Sequence, residues 1–88
     1  MRRIRVTGEV WKEGNMYTAY CPELDVASCG KTVDEVWKNL KEAVGIFIEE
    51  TERKGTLKEL LEEAGFSLKE ENFEREEHLV GNIEMVYK

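Results

Sequence analysis

One histidine, one proline and two cysteines are spread over 88 residues, and no apolar run approaches the roughly 20 residues that cross a bilayer. Each scarcity removes a class of function. His78 lies beside Glu76 and Glu77, but no nucleophile accompanies it, because Ser28 and Ser67 have no Gly-x-Ser-x-Gly setting. A solvated surface histidine is the simpler reading. A structural zinc takes about four ligands, and Cys21, Cys29 and His78 fall short of that. The two cysteines are therefore read as buried, reduced thiols on neighbouring strands that fill space as small hydrophobes. GxGxxG, GxxxxGK[ST] and HExxH are all absent. No catalytic residue, cofactor or metal is expected. The basic start Met1-Arg2-Arg3-Ile4-Arg5-Val6 has no apolar h-region behind it, so no signal peptide is read and a cytoplasmic protein is expected.

What is present is charge and one core's worth of apolar residues. Apolar types make up 41% of the chain, enough for a single domain over residues 1–88 and not for a deep active-site cavity as well. The net charge is −6, unevenly placed. Residues 1–31 carry five Lys/Arg and four Asp/Glu, whereas the remaining 57 carry eight and fifteen. An acidic second half argues against direct nucleic-acid binding, which depends on neutralising phosphates, and suits a basic protein partner. Ordinary solubility charge is the plainer explanation of the same count.

Hydrophobic periodicity predicts an α+β order of β-β-β-α-α-β. Ile4 to Trp11 alternate as a half-buried strand, Lys12-Glu13-Gly14-Asn15 is a turn signal, and Met16 to Cys21 is a second strand. Pro22 ends it, and Val26 to Cys29 form a third strand closed by Gly30. Thr32-Val33-Asp34-Glu35 is a capping box for a long helix, with Val33, Val36, Trp37, Leu40, Ala43, Val44, Phe47 and Ile48 on its inner face. Gly45 reads as a point of close packing on the sheet, and Gly55 as the stop that ends a 1–55 core. A second box, Thr56 to Glu59, opens a short helix over 56–65 that ends at Gly65. Residues 66–78 read as an acidic linker, and 79–88, where Leu79, Gly81, Ile83, Met85 and Tyr87 alternate, as a last strand returning to the sheet. The expected core is Ile4, Val6, Val10, Ala19, Cys21, Val36, Trp37, Leu40, Val44, Phe47, Ile83 and Met85. Exposed edges in so small a sheet favour a homodimer or a higher homo-oligomer.

Converging carboxylates can hold metals for phosphodiester cleavage. Here Glu9 and Glu84 fall on polar strand faces and Asp25 in a turn, so a metal-dependent nuclease is the weakest reading. The stretch Tyr17 to Val36, with its Cys21-Pro22-Glu23-Leu24 turn, its short strand ending in Gly30 and Thr32-x-x-Glu35 opening a helix, resembles the HicB-like antitoxin family. Asn39-Leu40-Lys41-Glu42-Ala43 and Phe47-Ile48 match the helix that follows, and the resemblance covers about residues 3–50. It implies a degenerate ribonuclease-H-like fold without catalytic acids, which binds and neutralises HicA, a small basic mRNA-cleaving ribonuclease. Val36 stands where the family usually has Ala, and Asp25-Val26 where it has Pro-Gly. The operator-binding C-terminal module of many members has no counterpart in residues 56–88. The expected partner contacts are the outer acids Glu42, Glu49, Glu50 and Glu52. The competing reading is an orphan, self-assembling regulatory or ligand-binding module with no toxin.

Overall fold

The structure is a computed structural model, describing residues 3–69, 72–75 and 79–87. Its elements are β1 (Glu9–Glu13), β2 (Met16–Cys21), β3 (Val26–Gly30), α1 (Val33–Lys54), α2 (Leu57–Glu63), β4 (Phe66–Lys69) and β5 (Asn72–Arg75). The architecture is α+β, and the expected order of three antiparallel strands, long helix, short helix and strand is found. The last step differs: the strand after α2 is half of a separate two-stranded sheet, β4–β5. Among the described residues no helix is long and apolar enough to cross a membrane.

The meander follows from its turns. Gly14 sits at φ 59° between Glu13 and Met16, which pair across β1 and β2. Asn15 keeps an ordinary negative φ, so glycine alone supplies the left-handed residue that a tight hairpin demands. Pro22 to Asp25 make the second turn, with Asp25 at φ 54°, a conformation Asp tolerates better than most residues. β1 is shorter at its start than expected: residues 3–8 run outside the ladder, although Ile4 and Val6 still pack half-buried on the core.

α1 begins where its cap dictates. Thr32 is extended, and its Oγ1 accepts the Glu35 N–H at 3.0 Å. Asp34 and Glu35 in the first turn and Arg53 and Lys54 in the last complement the helix dipole. It ends in a Schellman motif, with Gly55 at φ 76° donating to Glu52 O and Thr56 N to Thr51 O. Thr56 makes no side-chain cap for α2. Its backbone is helical rather than extended, and its hydroxyl turns back to the Thr51 carbonyl, so the second capping box does not form.

The core joins Ala19 and Cys21 of β2, Leu24 of the turn, Val36 and Leu40 of α1, Leu61 of α2, Phe66 of β4 and Phe73 of β5. Here the sequence reading needs correction. Phe66–Lys69 and Asn72–Arg75, expected within a linker, are strands. Phe66 is 3% and Phe73 7% exposed, and their hairpin fills the place expected for Ile83 and Met85. Residues 79–87 carry no regular structure, and Ile83 and Met85 lie in solvent. Trp37 is 41% exposed, because it lies across the backbone of Gly8, where any side chain would overlap its ring. Val33, too, is largely exposed.

Two glycines give opposite predictions. A Cβ on Gly30 would lie 2.9 Å from Val36 N and 3.1 Å from Val36 Cα, both backbone atoms of the first turn of α1. Gly45, expected to pack closely, meets nothing within 4 Å. Gly30→Ala is expected to cost about 1–3 kcal/mol by overpacking, and Gly45→Ala to add about 0.5–1 kcal/mol by helix propensity. Urea denaturation of the two variants measures both.

Candidate functional site

Among the described residues the most connected polar group is the Glu23 carboxylate. It hangs from the Pro22–Asp25 turn, which buried Leu24 pins to the core. Both carboxylate oxygens accept the Thr7 N–H at 3.0 Å, and Oε2 also accepts the Thr7 hydroxyl at 2.7 Å. The Cys21 thiol donates at 3.6 Å, and the Arg75 guanidinium forms an ion pair with the same group. The Glu23 side chain is 5% exposed. Arg75 donates to Thr7 Oγ1 at 3.3 Å and stacks 5.4 Å from the Phe66 ring centroid. One carboxylate thus ties together the segment leading into β1, the β2–β3 turn and β5.

Beside this knot, Phe73 N donates to Arg3 O at 3.0 Å, and Asn72 Oδ1 accepts from Arg3 N at 3.2 Å. Between residues 3–7 and β5 lies a groove of about 610 Å³. Its floor is apolar (Ile4, Val6 and Phe73), and Arg3 and Arg5 stand at its rim.

Titratable chemistry is sparse. Burial pushes the Cys21 thiol up from its ordinary pKa, although a backbone hydrogen bond from Leu24 and the charge of Arg75 pull the other way. Tyr20 donates its hydroxyl to Asp25 Oδ1 at 2.8 Å, and that bond, with desolvation and the Asp25 charge, raises the phenol. Cys29 is exposed, contrary to expectation. The register explains it: Cys21 pairs with Val26 and Cys29 with Thr18, so the two thiols leave opposite faces of the sheet.

Glu42, Glu49, Glu50 and Glu52 all lie exposed on α1. Glu42 and Glu49 are two turns apart on one stripe, with Glu50 and Glu52 to either side. Arg53 takes up part of their charge, reaching Glu50 at 3.0 Å and Glu49 at 3.6 Å. Lys38 and Lys41 share the first half of the same outer face with Asp34 and Glu35, which balance them. Of the nuclease carboxylates, Glu9 and Asp25 both border Tyr20, Glu9 across the β1–β2 ladder and Asp25 through the phenol, while Glu84 is beyond β5. Among the described residues no three His, Cys, Asp or Glu side chains gather where they could hold a metal. His78 lies outside the described residues.

Sequence reasoning missed Glu23, which appeared only as a letter in the Cys-Pro-Glu-Leu turn. The signal available was an acid flanked by a proline and a buried leucine. Its partners Thr7 and Arg75 are 16 and 52 positions away, beyond any local pattern. Compared with protein-family models, with curated proteins and with solved structures, the chain gives no match.

Glu23→Gln leaves Arg75 without its counter-charge and should cost about 2–4 kcal/mol, the range for breaking a buried pair discounted because Arg75 is partly wet. The Glu23→Gln/Arg75→Met double variant should lose less than the sum of the singles, and a double-mutant cycle by urea denaturation measures that coupling. A thiol reagent should label Cys29 at once and Cys21 only on unfolding. Because the folded Cys21 pKa is raised, its contribution to stability is complete below the unfolded thiol's pKa and is lost as pH rises through the folded value. Cys21→Ser should flatten that alkaline decline.

Proposed function

We propose that the chain is an antitoxin-like protein of the HicB kind, acting in the cytoplasm as a homodimer. On this reading it covers a small basic mRNA-cleaving ribonuclease of the HicA type and blocks it by shape and charge, without catalysis of its own. The observation that carries the reading is the exposed acidic stripe of α1, formed by Glu42, Glu49, Glu50 and Glu52 on a chain of net charge −6. Complementary charge of this kind speeds encounter and selects partners.

The two motifs behind the resemblance also have physical work in the fold, which supports the reading. Cys-Pro-Glu-Leu presents the Glu23 knot and the buried Leu24, and Gly30-x-Thr32-x-x-Glu35 lets α1 approach the end of β3 and caps it. The orphan self-assembling module remains the second reading, favoured by the exposed apolar residues after Leu79.

A HicA-type ribonuclease encoded beside this chain gives the test. RNA cleavage should stop at an equimolar ratio of the two proteins. Glu42→Lys/Glu49→Lys/Glu52→Lys should weaken binding roughly three- to hundredfold, at the 0.2–1 kcal/mol typical of each exposed ion pair. Wild-type affinity should fall with added salt. Undiminished cleavage at excess, or a triple variant that inhibits as well as wild type, overturns the reading.

A further inference from the structure

We propose that residues 79–87 are an exchange arm that adds as a strand to the β3 edge of a second copy of this chain. The inference deepens the homodimer part of the reading above and does not depend on the toxin.

Six large apolar side chains in this segment, Leu79, Val80, Ile83, Met85, Val86 and Tyr87, are 75–94% exposed, more than any other large hydrophobic among the described residues. Soluble monomers rarely leave such a patch uncovered. The segment alternates as a strand does, with Leu79, Gly81, Ile83, Met85 and Tyr87 on one side, and Glu84 is its only charge among residues 79–87. It reads as a strand whose sheet lies elsewhere.

The sheet has two edges, and they differ. β1 carries Glu9, Lys12 and Glu13, the charges with which proteins blunt an open edge. β3, Val26-Ala27-Ser28-Cys29-Gly30, carries none. Its outward groups can be assigned. Asn39 Nδ2 donates to Cys29 O at 2.8 Å, so that carbonyl points away from β2. In an antiparallel ladder alternate residues share a direction, so Ala27 also presents its N–H and C=O outward. Among the described residues nothing bonds them.

The arm leaves its own β3 unpaired: among the described residues 79–87 belong to no ladder, and β3 has β2 as its one strand neighbour. A second copy offers the same edge. Each of the six side chains removes roughly 60–120 Å² of apolar surface from water. Two exchanged arms and their acceptors therefore reach on the order of the 1,200–2,000 Å² that a stable interface buries.

Sedimentation of the full chain should give twice the 10.2 kDa of one copy. A chain ending at His78, and the exposed-arm variant Ile83→Asp/Val86→Asp, should sediment as monomers with unchanged circular dichroism. Ala27→Pro removes one outward N–H and no β2–β3 bond, and should also yield a monomer. If that variant unfolds, hydrogen exchange makes the same test: the Ala27 and Cys29 amides should be protected in the full chain and lose that protection in the truncated one. A monomeric full chain removes the homodimer reading and the arm with it. A truncated chain that still dimerises leaves the homodimer standing and overturns the arm. Dimers of Ala27→Pro, or Ala27 and Cys29 amides equally protected with and without the arm, overturn the assignment to β3.

Discussion

A buried carboxylate with several donors is a demanding thing to build around, and the fold depends on one. Glu23 brings a full charge to a 5% exposed position, which is costly unless that charge is neutralised and its lone pairs are filled. Thr7 supplies a backbone and a hydroxyl donor, Cys21 a thiol, and Arg75 the counter-charge. These come from separate stretches of chain, and none alone compensates for the desolvation. The consequence is cooperative. The β4–β5 hairpin shares no ladder with β1–β2–β3, so its docking relies on apolar contact through Phe66 and Phe73, on the bonds of Asn72 and Phe73 to the Arg3 backbone, and on this polar knot. Hydrophobic contact makes the hairpin bury a face. The knot specifies how that face sits, because sliding it would strand Arg75 and leave Glu23 charged and unpaired.

That dependence explains what was legible in the sequence. The bounds of α1 were readable because their signals are local: a Thr three residues before a Glu, apolar residues at steps of three and four, and a Gly where the chain must turn left-handed. The meander was readable for the same reason, through Gly14 and the Pro22–Asp25 turn. The β4–β5 hairpin was not. Its apolar residues, Phe66, Leu68 and Phe73, are few and set among Lys and Glu, and charge density was read as absence of structure. Phe66 and Phe73 gain their meaning from Leu61 and Leu24, which are close only after folding.

The acidic positions on α1 were legible as exposed, since helical period fixes which side faces water. The period does not tell that Arg53 sits between Glu49 and Glu50 and screens both. The alternation in 79–87 taught a related lesson. Period two identifies a strand-like face, but not the sheet that receives it. With Phe66 and Phe73 already filling the core, the same alternation that looked like a returning strand becomes surplus apolar surface.

On the proposed reading, acidic helix and apolar arm would divide the work of association. Exposed carboxylates such as Glu42 and Glu52 act over a Debye length of about 8 Å at physiological salt and chiefly raise encounter rates and reject wrong partners. They do little to hold a complex, because each exposed pair is weak. Apolar burial has the opposite character: it is short-ranged, insensitive to screening, and governs how slowly partners separate. A chain that needs a long-lived scaffold and a salt-sensitive recognition surface gains by keeping the two on different segments. Mixing them would bury Glu side chains in the apolar contact, where every unpaired charge weakens it. Within 88 residues the carboxylates Glu42, Glu49, Glu50 and Glu52 and the most exposed hydrophobes, those of 79–87, lie on different segments, which limits that conflict.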